Sequence, residues 1–235
     1  MRRPSSGQPP PLPFDGTAIR RLRAQLGMAH GHVAHAMRVS YGLPVRPETV
    51  AAWERGEAVP TGAELGALAG ALWCSPAELM TVPRTLLEHR LARGMAPSDL
   101  ARAIGMSGAD YERMEARAEW SGNARQTAAL AVALGLTAPA LLTVTGKEPR
   151  LAELLREALG TRWQAYVRPV GALVPVPRER VTAALRQMHA EYQSLMVATL
   201  NWGSPGASAS DGAEGRDFLD GVVERFWAAL RDAPR

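Results

Sequence analysis

The stretch "VRPETVAAWERGEAVP", Val45 to Pro60, has a proline just inside a helix, an acid in the first turn and a Trp-Glu-Arg-Gly end with a proline soon after. Pro47 suits the first helical position, where no amide donor is needed. Glu48 suits the positive N-terminal end, and Gly56 suits the stop. The stretch predicts one short helix with an open N-terminal end, and its neighbours decide what that end is for.

On the N-terminal side, "TAIRRLRAQLG" from Thr17 sets Ile19, Leu22 and Leu26 at i, i+3, i+7, with arginines around them. "MAHGHVAHAM" follows, with Val33, Ala34 and Met37 inward, and then a polar connection, "RVSYGLPV". On the C-terminal side, "TGAELGALAGALW" and "SPAELM" supply a fourth and a fifth helix. The chain then repeats itself. "LLEHRLARGM" mirrors the first helix, and "APSDLARAIGMSGADYERMEAR" mirrors the second and third. "RQTAALAVALGLTAPALL" mirrors "GAELGALAGALWCSPAEL", pairing Leu72 with Leu134. Two copies of a five-helix unit therefore fill residues 17–80 and 84–142, joined by "TVP".

A third region, 150–235, follows. Leu151, Leu154, Leu155, Ala158 and Leu159 make one helix face. Val181, Leu185, Met188, Tyr192, Leu195 and Thr199 step by four and three, a heptad-like seam. A loop is expected over 203–215, and Phe218, Leu219, Val222, Val223, Phe226, Trp227 and Leu230 define a wide apolar face on a last helix. Strand signals are scarce. The nearest, "AYVRPVGALVPVP", is interrupted by prolines. The expected fold class is all-α: two tandem five-helix units and a C-terminal helical domain, after a disordered arm over residues 1–16 rich in Pro, Ser and Gly.

The 235 residues are 46% hydrophobic and 21% charged, enough for two or three small domains with their own cores. Formal net charge is +4, and Lys147 is the only lysine against 26 arginines. This bias, with abundant Ala and Gly, points to a GC-rich bacterial genome. A mild basic excess permits nucleic-acid binding without demanding it. One cysteine, Cys74, excludes an intramolecular disulfide and fits a cytoplasmic setting. Lying after an apolar helix, it reads as structural. No apolar run is long enough to span a membrane, and the start lacks the apolar core of a signal peptide.

The repeated unit resembles the XRE family, the lambda-repressor-like helix-turn-helix domains. The resemblance rests on "IRRLRAQLGM", "HVAHAM", "TVAAWERG", Pro60 and "LGALAGALWCSPAELM", and on "LARGMAPSDLARAIGMS" and "YERMEA" in the second copy. It covers about residues 17–142. It implies five short helices per unit, with the third in the major groove of duplex DNA. Carried over, helix three is Arg46 to Arg55, Ala34 and Val50 pack between helices two and three, and His30 stands where the family has a phosphate-contacting Gln.

Two departures qualify this. In the second copy Ala101 to Met114 spans 13 positions, the family's spacing; in the first, Ala34 to Trp53 spans 19. Either helix two is longer, or "VSYGLP" forms a wing. The second copy, in turn, offers few donors at the start of helix three. Asp110, Glu112, Glu115 and Glu119 would face phosphates there, and Pro97 replaces the phosphate-contacting Gln.

The candidate base readers are Arg46, Glu48, Thr49 and Ala52. Arg suits guanine O6/N7, Glu accepts from cytosine N4, and the Thr and Ala methyls touch a thymine methyl. Arg20, Arg23, Arg38 and Arg55 join His30 as candidate phosphate contacts; Arg55 has a local alternative in its glutamate neighbours. Arg2 and Arg3 sit on an arm able to reach a minor groove. Trp53 is expected in the core. His30, His32 and His35 lack a nearby Cys, Asp or Glu to complete a metal site, so neither metal nor cofactor is expected. No nucleophile-base pair, phosphate loop or paired carboxylates stand out, so an enzyme is not expected. The 181–199 seam is either the core face of a small domain or a dimer seam, and Val181, Leu185, Met188, Tyr192, Leu195 and Phe226 are the candidate dimerisation residues. "RWQAYVRPVGALVPVP" either packs in a core or walls a ligand pocket.

The expectation is a cytoplasmic, homodimeric, sequence-specific double-stranded DNA-binding regulator of transcription. Its rival is a protein-interaction module of antitoxin or anti-regulator type, with a C-terminal small-molecule sensor as a further option.

Overall fold

The computed structural model describes residues 11–201 and 211–233; side-chain surroundings are described outside 198–214. The loop expected over 203–215 and the arm bearing Arg2 and Arg3 fall partly or wholly outside this range. Among the described residues the chain is all-α, with fourteen α-helices, two short 3-10 turns and no strand. None of these helices is long and apolar enough to cross a membrane. The chain divides into two compact units, Met1–Gly135 and Leu136–Arg235.

The first unit contains α1 (Gly16–Gln25), α2 (His30–Tyr41), α3 (Pro47–Glu54), α4 (Gly62–Ala71), a 3-10 turn (Pro76–Leu79), α5 (Leu86–Ala92), α6 (Pro97–Ile104), α7 (Gly108–Arg117) and α8 (Ala124–Leu134). Local chemistry sets the starts. Asp15 caps α1 by accepting from the Thr17 and Ala18 amides at 2.9 and 3.3 Å. Thr61 and Glu64 exchange bonds at the head of α4, and Asn123 and Gln126 do the same at the head of α8. Each such cap stabilises its helix by about 1 kcal/mol. Ile19, Val33, Met37, Val50, Trp53, Leu65, Leu68 and Leu79 form the core of α1–α4.

Residues 11–15, expected in the arm, are tied down. Phe14 bridges Met80: the Asp15 amide donates to the Leu79 carbonyl at 2.9 Å and the Thr81 amide to the Pro13 carbonyl at 2.8 Å. Leu12 and Phe14 pack against the core of α1–α4.

The second unit contains α9 (Ala138–Val144), α10 (Glu148–Gly160), a 3-10 turn (Trp163–Tyr166), α11 (Val167–Leu173), α12 (Arg178–Asn201), α13 (Asp211–Asp220) and α14 (Val222–Asp232). Thus α9, read from sequence as the last helix of the second copy, lies in this unit, and Leu142 belongs to its core. Residues 211–215 are helical rather than loop. "VRPVGAL" is helical because Pro169 falls in the first turn of α11, where a missing amide costs nothing. Val167, Val170 and Val174 are buried, with Trp163 and Tyr166 packed on the same core.

The apolar seam of α12 faces this core. Val181, Leu185, Met188 and Phe226 are at most 1% exposed, Tyr192 stacks on Phe218 with ring centroids 5.6 Å apart, and Leu195 packs against the same cluster. Val181, Leu185, Met188 and Phe226 are thus interior and Tyr192 and Leu195 half-buried, and within one chain the stripe read from their spacing packs on the chain's own helices. The reason is periodicity: a stripe at three-four spacing buries equally well against a neighbouring helix and against a second chain.

Candidate nucleic-acid interface

Helix α3 is anchored from below. Val50 and Trp53 enter the core, and Glu54, 3% exposed at its side chain, receives α1. Arg23 donates Nε and one terminal nitrogen to the Glu54 carboxylate at 2.6 and 3.0 Å, and its other terminal nitrogen to the Met28 carbonyl at 2.7 Å. The same latch recurs in α5–α8. Arg90 donates to Glu115 at 2.7 and 2.8 Å and to the Met95 carbonyl at 2.7 Å, and the Tyr111 hydroxyl also donates to Glu115 at 2.7 Å. Burial alone would raise the Glu54 carboxyl, but the bonds from Arg23 and His30 outweigh it and hold the group below the usual glutamate range.

The latches span 31 and 25 residues, a difference of six. The structure places those six. Helix α2 has 12 residues and α6 has 8. The turn to α3 is residues 42–46, and the turn to α7 is 105–107. Four extra residues lengthen the helix and two lengthen the turn. "VSY" is thus helical and no wing forms. Gly42, at φ 68°, ends α2, its amide bonding to the Arg38 carbonyl and that of Leu43 to the Met37 carbonyl. The added helical turn carries Tyr41 onto α4 at Gly70.

From that turn the chain enters α3 at Arg46, extended at φ −89° and ψ 152°, with Pro47 first in the helix. Arg46 and Glu48 are exposed, Thr49 and Ala52 half-buried. The side chains of Arg46 and Glu48 meet no hydrogen-bonding or ionic partner among the described residues. A guanidinium and a carboxylate are thus presented together to solvent at one helix end.

The flanking candidates sort differently. Arg38 is exposed, 3.4 Å from His35 Nδ1. Arg20 is largely exposed and lies 3.8 Å from Glu54. Arg23 is half-buried, and its Nε and one hydrogen of each terminal nitrogen are engaged by Glu54 and Met28, which leaves it less available to a phosphate than Arg20 or Arg38. His30 bonds Glu54 through Nε2 at 3.1 Å. Arg55 makes two 2.7 Å bonds to Glu57, the local alternative open to it. In the second copy Asp110 pairs with Arg113 and Ser107, while Glu112 and Glu119 are exposed. Glu115 turns inward to Arg90 instead of facing outward.

Glu54 and Glu115 are the structural hubs that reading from single motifs overlooks. Their signal was present: "RAQLGM" from Arg23 and "RLARGM" from Arg90 place an arginine five residues before a methionine in both copies. His32 is spent locally, its Nδ1 accepting from the Ala29 amide at 3.1 Å. No metal-holding cluster occurs among the described residues. Cys74 is half-buried, and burial, aided by Glu78, pushes its thiol up to about 11, far from a reactive thiolate.

No family model matches the chain, and neither a curated protein nor a solved structure matches it.

Proposed function

We propose that the chain is a sequence-specific double-stranded DNA-binding regulator of transcription that reads the major groove with the N-terminal end of α3. The observation that carries this reading is the exposed, unpartnered pair Arg46 and Glu48 above a helix fixed by Trp53 and the Arg23–Glu54 latch. A reader must be held rigidly while its polar tips stay free for base edges. Thr49 and Ala52 supply methyl groups beside them, and Arg38 and Arg20 remain for phosphates. The resemblance of α1–α4 to the lambda-repressor-like helix-turn-helix supports the same assignment. In this reading α5–α8 is a second, degenerate copy, and the protein is a non-enzymatic regulator of a bacterial cytoplasm. A symmetric operator requires a second copy paired through a surface other than the α12 seam.

Glu112 on α7 and Glu119 just beyond its end are exposed and would face phosphates in the second copy, which favours a second reading in which the helix-turn-helix units hold a protein partner. Selection of sites from random duplexes at roughly 150 mM salt separates the two, because non-specific binding is weak there. An enriched motif whose preference at one base pair relaxes in Arg46→Ala, by about 1–3 kcal/mol, supports the DNA reading. No enrichment by folded protein sinks it and transfers the search to protein partners.

A further inference from the structure

We infer that the second unit carries a phosphate-gripping face of its own, centred on Arg178 and Arg186 of α12, which holds the backbone of duplex DNA without reading its sequence. The inference rests on the DNA reading above and gives the C-terminal unit a part in it. Several arginines of this unit are occupied: Arg150 pairs with Glu153 at 2.9 Å, Arg156 donates to the Leu219 carbonyl and Arg180 to the Leu230 carbonyl. Arg162, Arg168, Arg178 and Arg186 are exposed, and no carboxylate among the described residues pairs with them. All four fall within residues 162–186, a span whose single acid is Glu179.

Arg178, Thr182 and Arg186 stand at i, i+4 and i+8 on one face of α12 and line a shallow groove of about 370 Å³ with Glu179 and Ala183. Arg186 is held over Trp163, its Cζ 5.8 Å from the ring centroid. Such a contact orients a guanidinium without neutralising it. Arg162 directly precedes that ring. Eight residues of helix separate the two groove arginines by about 12 Å. That matches the roughly 12 Å width of the B-DNA major groove, so one helix face reaches phosphates on both of its rims. Planar guanidinium forks suit phosphate oxygens. Thr182 and Ala183 between the arginines offer no bulky apolar side chain to sink into a lipid surface, and Trp163 packs on the unit's core beneath Arg186.

The test measures binding of the full chain to its selected duplex and to a random one, from about 50 to about 300 mM salt. Wild type, Arg178→Gln/Arg186→Gln and Glu179→Gln are compared. Loss of two phosphate contacts lowers the slope of log K against log salt by about 1.8 and weakens both duplexes alike. Glu179→Gln acts oppositely and tightens both; should the double variant fail to fold, this variant decides alone. A wild-type slope and affinity in the folded double variant overturns the inference while the DNA reading stands. So does unchanged DNA binding with lost retention on polyglutamate, which assigns the face to an acidic protein. A wild type that binds no duplex overturns both readings.

Discussion

The ring of Tyr41 lies against the backbone of Gly70, in the space that a β-carbon on Gly70 would fill. The corresponding position of the second copy is Val132, 83% exposed, because α6 stops a turn earlier and sends no side chain there. The glycine is thus needed where the longer helix needs a seat. Gly70→Ala should displace Tyr41 and loosen the end of α2, at a cost of about 1 kcal/mol. Amide exchange over residues 38–43 should quicken. In a double-mutant cycle, Gly70→Ala on a Tyr41→Ala background should cost nothing, since alanine is the better helix former.

The buried latch gives a sharper case. Arg90 and Glu115 are 8% and 11% exposed at their side chains. Removing either partner alone leaves an uncompensated buried charge, so Arg90→Met or Glu115→Leu should cost about 3–5 kcal/mol in urea denaturation. Both changes together should cost less than either one.

Acid should act through Glu54. Its folded-state carboxyl titrates below the ordinary value, so its contribution to stability is present above that value, about 4.3, and is lost as pH falls through the lower folded value. Thermal unfolding from pH 7 to pH 2 should therefore show an acid limb that shrinks in Glu54→Gln, with a lower melting temperature at pH 7. An acid limb identical in the two proteins rules Glu54 out as its source.

Trp73 carries an avoidable strain. Its φ is 54° and it is 87% exposed, whereas the matching position of the second copy is Gly135 at φ 61°. A left-handed conformation costs a bulky L-residue roughly 1–2 kcal/mol. Trp73→Gly should raise stability by up to about 1 kcal/mol, because glycine's freedom in the unfolded chain offsets part of the gain.

Much of this architecture was legible in the sequence because helices announce themselves by period and punctuation. Pro47, Glu48 and Gly56 mark α3 as observed, and Trp53 sits in the core as its spacing requires. The repeat was legible too, in residue types at matching offsets. Three things were not. The seam of α12 carries period but no partner, so sequence could not tell a neighbouring helix from another chain. Arg23 and Arg20 look alike on paper, and only the geometry around Glu54 draws one down to a two-point grip and leaves the other mostly in solvent. The extended turn admitted a wing or a longer helix, and the seat at Gly70 that decides between them lies about thirty residues downstream.

The two latches close over loops of different length with the same bonds. The span from Arg23 to Glu54 is six residues longer than that from Arg90 to Glu115, yet α1 grips α3 as α5 grips α7. The segment from Arg38 to Arg46 therefore carries the difference in length, while Tyr41, Leu43 and Val45 within it pack on the rest of the fold. The grip of α1 on α3 is thus set independently of the length of chain that separates them.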